Sequence, residues 1–128
     1  MILKGTFLHT PTLGELEVRE NAFLVSEGET IVGLYDTLPP EYAGQPVEDW
    51  GDALIVPAFT DLHIHAPQII NRGIGYDKEL LPWLETYTFP AEARFADPAF
   101  ADRAWKAFLN HLWAVGTLRF AAFATIHK

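Results

Sequence analysis

Phe59-Thr60-Asp61-Leu62-His63-Ile64-His65-Ala66-Pro67-Gln68 sets two histidines two residues apart at the end of an apolar run. The run begins earlier, with Leu54-Ile55-Val56 and Ala58-Phe59. Ala53 to Ala66 therefore reads as a near-continuous apolar strand buried on both faces, as in a parallel sheet. Side chains two apart on a strand project from one face, with Cα atoms about 6.6 Å apart. His63 and His65 can then converge on one ion, and Asp61 has the same parity. Neutral imidazole suits zinc and its neighbours. The alternative is two ordinary histidines with hydrogen-bond partners. Two same-face histidines in an apolar strand are costly to bury without partners. They also stand just before Ala66-Pro67, at the C-terminal end of the strand, where βα folds build their sites.

Beyond Gly73 the pattern turns helical. Glu79 to Tyr87, with Leu80, Leu81, Trp83, Leu84 and Tyr87, predicts a short amphipathic helix. The clearest helix runs from Asp97 to Val115. Asp97 suits the N-cap, Pro98 the first helical position and Gly116 the residue past the end. Ala101, Ala104, Phe108, Leu112 and Val115 recur at steps of three or four. Thr117 to Ile126 reads as a further strand, ending at His127. Residues 57–128 thus spell strand, helices, strand: one βαβ unit, which implies a parallel sheet. Either a (β/α)8 barrel or an open doubly wound sheet fits that order.

Upstream of Pro57 the chain reads as short strands and turns. Ile2 to His9 is one strand. Ala22-Phe23-Leu24-Val25 and Thr30 to Tyr35 flank the turn Glu27-Gly28-Glu29, a hairpin over 22–35. Pro39-Pro40-Glu41 breaks the pattern, and Val47-Glu48-Asp49-Trp50 predicts a short fourth strand. The division expected is a β-sandwich-like lobe over 1–56 and an α/β unit over 57–128.

Bulk composition narrows the function. The chain has 128 residues, 49% of them hydrophobic, with a formal net charge of -8. That suffices for one modest domain or two small pieces. No basic stripe is present, which argues against nucleic acid and against an anionic membrane surface. With no cysteine, thiolate metal sites and Cys nucleophiles are excluded. The first residues carry no basic region followed by a long apolar run, and no apolar stretch approaches the roughly 20 residues of a membrane span. A cytoplasmic protein is the expectation.

Val56-Pro57-Ala58-Phe59-Thr60-Asp61-Leu62-His63-Ile64-His65 resembles the first barrel strand of the amidohydrolase superfamily, usually P-G-[FL]-[VI]-D-x-H-x-H, with Ala58 in place of the usual Gly. Within that superfamily, several stretches resemble the guanine deaminase family. They are His65-Ala66-Pro67-Gln68, Gly75-Tyr76-Asp77, Leu80-Leu81-Pro82-Trp83-Leu84, Tyr87 to Phe95 and Phe123-Ala124-Thr125-Ile126-His127. The resemblance covers roughly Leu54 to His127. It implies the opening βα units of a metal-dependent (β/α)8 barrel, incomplete in this chain, after a small β-sandwich lobe. It also implies Zn2+ held by His63 and His65, and a substrate amide contact from Gln68, whose side chain offers both donor and acceptor to a purine edge. The implied reaction is hydrolytic deamination of guanine to xanthine and ammonia, in purine catabolism, with the homodimer of the family. The family's remaining zinc ligands, its catalytic glutamate and its guanine-contacting arginine map onto no residue here, so no catalytic residue is assigned within this chain, and the chain alone is expected to be inactive. Another hydrolase of the superfamily, and a truncated non-catalytic copy, are the rival readings.

Arg119 and Lys128 depart from the family pattern, which has Thr at both places. A charge inside a strand read as buried is expensive unless paired. His127 reads as a pocket-lining or a structural residue. His9 and His111 read as a strand-end and a helix-face histidine. Trp83, Tyr87 and Phe89 read as core, Asp77 and Glu79 as a solvated loop, and Glu92 with Arg94 as surface pairs.

Overall fold

β1 (Ile2–Thr12) and β2 (Glu15–Glu27) form a long antiparallel hairpin whose last pair is Thr12↔Glu15. β3 (Thr30–Tyr35) adds to the other side of β2, and β4 (Glu48–Ile55) lies parallel to β1. These strands make one sheet in the order β3-β2-β1-β4. The computed structural model describes residues 1–127; Lys128, noted above as a departure, lies outside the described residues. The chain divides into two compact units, Met1–Pro57 and Ala58–Lys128. Among the described residues no helix is long and apolar enough to cross a membrane.

The first unit differs from the sequence expectation in three ways. A sandwich needs two facing sheets, and its described residues form a single four-stranded layer. β2 starts seven residues before the predicted Ala22. Its first half, Glu15 to Glu20, is charged and mostly exposed, and is held by pairing with β1. Asn21, at φ 52°, marks the bulge where the register slips between Gly5↔Ala22 and Phe7↔Arg19. Thirdly, Leu54 and Ile55 do not lead into the histidine strand. They end β4, opposite Thr6 and Phe7. Pro57, which has no N–H for a ladder, stands between the two strands. Ile2, Phe7, Ala22 and Val25 are the buried core of the sheet.

In the second unit β5 (Phe59–His65) pairs parallel to β6 (Thr117–Phe123). Their crossover carries α1 (Leu80–Trp83), a π turn over Leu84–Thr88, α2 (Phe89–Ala93), a 3-10 turn over Arg94–Ala96 and α3 (Pro98–Ala114). The predicted βαβ order is present. α3 begins as its sequence dictates: Asp97 Oδ1 accepts from the Ala99 N–H at 2.9 Å, with Pro98 at the first position. It ends before Gly116, whose φ of 75° only glycine adopts cheaply. Phe108 and Leu112 of α3 pack with Ala66, and Ile64, Ile69 and Trp105 complete that cluster. Phe120 meets Phe108 edge-on at 5.5 Å.

The single helix expected over Glu79 to Tyr87 is instead helical backbone continued to Ala96 in several pieces. Pro90 cannot donate to a carbonyl one turn back, and its ring crowds that carbonyl; the widened turn just before it relieves the clash. β5 is not buried on both faces. Phe59 is 59% and Leu62 77% exposed. Among the described residues β5 has one neighbouring strand and helix cover on one face, so half of its apolar run stays open. Arg119 is likewise exposed, and it enters none of the ion pairs formed among the described residues. β6 stops at Phe123, short of the expected Ile126.

Candidate metal and substrate site

β5 delivers His63 and His65 to its C-terminal end, and the following 3-10 turn, Ala66–Ile70, carries Gln68. Pro67 favours that turn, because the N–H it lacks is unsatisfied there anyway. The two imidazoles lie 5.3 Å apart between centroids, tilted by 57°. His63, His65 and Gln68 line one cleft of about 350 Å³, together with Asn71, Arg72, Ile74, Tyr76, Trp83 and His111. The three residues singled out from the sequence are therefore brought together.

Asp61 departs from its expected parity. Register runs Asp61↔Phe120 and then Ile64↔Ala122, three steps on β5 against two on β6. The extra residue interrupts the alternation between Asp61 and the histidine pair. The Asp61 carboxylate accepts from the backbone N–H of His63 at 3.0 Å instead. No group of three His, Asp or Glu that could hold a metal exists among the described residues. The pair offers two imidazole donors, and a catalytic zinc takes three protein ligands with one position open. In donor type and placement the pair fits zinc, and in number it is an incomplete set.

The far wall was not legible beforehand. Arg72 Nη1 lies 2.6 Å from His111 Nε2. A guanidinium only donates, so in this contact the His111 nitrogen is the acceptor. The Trp83 indole N–H donates to the Ile74 carbonyl at 2.8 Å, and Gly75 at φ 77° lets the loop pass close above it. A Cβ at Gly75 would come within 2.7 Å of both Trp83 and Tyr87. Beneath, Asn71 donates to Thr88 Oγ1 at 3.1 Å in a buried contact, which ties the loop after Gln68 to the π turn. Trp83 is thus cleft wall rather than plain core, and Phe89 is exposed. Arg94 stacks over Phe100, 4.2 Å from the ring centroid, instead of forming one of the ion pairs. His127 does not line the cleft; its backbone N–H donates to Thr125 Oγ1 at 3.3 Å. His9 pairs across the hairpin with Glu17 at 3.6 Å. Asp77 and Glu79 are exposed, as expected.

The signal for His111 was present though unused. It neighbours Leu112 and stands three residues after Phe108, at the margin of the buried face of α3. Asn71 and Arg72 carry no such periodicity.

No family model matches the chain. Guanine deaminase of Dictyostelium discoideum is 31% identical over 143 residues, which span 98% of this chain and 32% of that protein. Among solved structures, guanine deaminase from C. acetobutylicum, with guanine bound in its active site, matches with a TM-score of 0.92 and 40% identity, over 98% of this chain and 30% of that one. An adenosine deaminase from Xanthomonas campestris with bound zinc matches with a TM-score of 0.67, over 95% of this chain and 28% of that one; at 19% identity that likeness concerns the fold alone. The chain spans about a third of the length of these relatives, at their N-terminal part. By sequence and by fold the chain is similar to the N-terminal third of the guanine deaminases.

Proposed function

We propose that this chain supplies part of the active site of a zinc-dependent hydrolase that deaminates guanine. The observation that carries this is the convergence of His63, His65 and Gln68 on one cleft at the C-terminal end of β5. In the reaction, the oxygen of water bonds to the ring carbon bearing the exocyclic amine. The carbon–nitrogen bond then breaks, and the amine leaves with the transferred protons as ammonia, giving xanthine. His63 and His65 would hold the zinc ion, which when bound supplies a Lewis acid and eases deprotonation of water near neutral pH. Gln68 offers the purine edge an N–H donor and a carbonyl acceptor at once. The cleft's far wall, with Trp83 and Tyr76, gives the ring apolar surface. No carboxylate lines the cleft among the described residues, so proton transfer to the leaving amine is not assigned to this chain.

The second unit, in this reading, opens a (β/α)8 barrel in which β5 and β6 are the first two strands. The four-stranded sheet of residues 1–56 is the accompanying lobe. The same reading sets the protein in the cytoplasm as a homodimer. The test is guanine binding to the zinc-supplemented chain, followed by tryptophan fluorescence with adenine as control. Guanine should quench more strongly than adenine, and Gln68→Ala should remove the difference. Equal responses to the two purines would overturn the substrate assignment.

A further inference from the structure

Phe123 closes the C-terminal end of β6 directly opposite His65. Its ring stacks on His65, with centroids 4.8 Å apart and planes inclined by 18°. It also leans on His63, at 5.1 Å and 57°. With the imidazoles 5.3 Å apart, each of the three rings touches the other two. Metal-binding histidines usually have their ring planes set by a hydrogen bond from the second ring nitrogen to a carboxylate, carbonyl or water. Here no protein hydrogen bond reaches a ring nitrogen of His63 or His65 among the described residues. What bears on both planes is the face of Phe123.

We propose that Phe123 is a positioning residue for the histidine pair, fixing the planes of His63 and His65 so that a nitrogen of each is presented to one zinc ion. This rests on the pair being zinc ligands. Phe123 brings no charge and no donor atom. It acts by restricting the torsions of two side chains that are otherwise free to turn in an open cleft, and offset or tilted aromatic contacts favour particular ring orientations. The residue is 54% exposed, so shortening it opens no core.

The experiment titrates zinc into the 128-residue chain at one fixed pH against a colorimetric chelator. The proteins are wild type, Phe123→Ala, Phe123→Leu and Phe123→Tyr, with His63→Ala and His65→Ala as the baseline. Metal-free NMR of the histidine ring C–H resonances runs alongside. Phe123→Ala and Phe123→Leu should weaken zinc binding about tenfold. Phe123→Tyr, which keeps the flat face, should restore it. The His65 ring protons should lie upfield in wild type and Phe123→Tyr and return to ordinary positions in the other two. Suppose wild type binds zinc above the histidine baseline and Phe123→Leu binds equally well. Then the positioning role is wrong and the zinc pair stands. A wild type no tighter than His63→Ala would sink the zinc pair itself, and the positioning role with it.

Discussion

At the scale of single residues, the cleft rests on a few polar groups whose removal has a calculable effect. Gln68→Leu keeps the volume of the side chain and removes both its donor and its acceptor. An unmet hydrogen bond to a buried polar edge costs about 1–3 kcal/mol, so guanine affinity should fall by roughly tenfold or more, read by the fluorescence titration; an unchanged affinity would remove Gln68 from the site. A second expectation concerns pH. The Lys4 ammonium donates to Asp49 at 2.7 Å, and the Gly51 N–H adds a second bond; together they hold the Asp49 carboxyl below its usual 3.8. A depressed carboxyl stabilises the fold above its unfolded pKa, and that contribution is lost as pH falls through the folded value. Protection of β4 amides should therefore drop as the pH falls below about 4, modestly because the pair is exposed, and Asp49→Asn should flatten the drop. Parallel curves for the two proteins would refute the role. His63, His65 and Gln68 were legible in the sequence because one strand and its following turn hold all three. Arg72, His111, Trp83 and Phe123 were not, since they meet the pair only once β6 lies beside β5 and the crossover helices dock. Asp61 was misplaced because a bulge leaves no mark in an alternating pattern.

At the scale of elements, legibility followed how local the signal was. α3 has its N-cap, its proline and its apolar stripe within its own nineteen-residue span from Asp97 to Val115, and the structure returns the cap, the proline and the stripe's buried centre of Ala104, Phe108 and Leu112, while Val115 is exposed. Asp97→Ala should cost about 1 kcal/mol, a normal value for a lost N-cap. It should appear as faster hydrogen exchange in the first turn of α3, with the four-stranded sheet unaffected; an unchanged first turn would mean that packing alone sets the helix start. The segment from Leu80 to Ala96 was legible as helix only as far as Tyr87, since the π turn answers a clash between Pro90 and backbone that no periodicity encodes. β2 was cut short in the reading because Glu15 to Glu20 lacks a buried face, and only pairing with β1 shows it to be strand. The end of β4 was joined to β5 for the opposite reason: Ala53 to Ile55 is apolar like the start of β5, and Pro57 between them looked like part of one run. Local chemistry thus spells out elements that carry their own caps, and pairing decides those that do not.

At the scale of the molecule, two units each leave apolar surface uncovered among the described residues. In the sheet unit an apolar cleft of about 490 Å³ opens between residues such as Leu3, Leu24, Leu34 and Ile55. In the βαβ unit Leu62 and Trp113 are 77% and 74% exposed, and a two-stranded sheet has an unpaired edge on either side. Contiguous apolar surface and open edges promote association. Sedimentation of the purified 14.4 kDa chain should therefore show larger species growing with concentration; a single monomer boundary across the range would contradict this. Turnover follows from the same incompleteness. Among the described residues the cleft has one pair of imidazoles placed for a metal, no group of three metal donors, and no carboxylate to carry a proton to the leaving amine. Loss of a positioned acid or base costs a hydrolytic enzyme about 10²–10⁴-fold, and a metal held by two ligands is lost readily to buffer. Zinc-supplemented chain should consequently convert guanine to xanthine no faster than its His63→Ala variant, followed by absorbance. Zinc should leave the chain on dialysis, where a complete site would retain it. Conversion clearly above the His63→Ala rate would show that the two histidines and the groups around them suffice, and that the proton is carried by a residue of this chain, with His111 beside Arg72 the first to substitute.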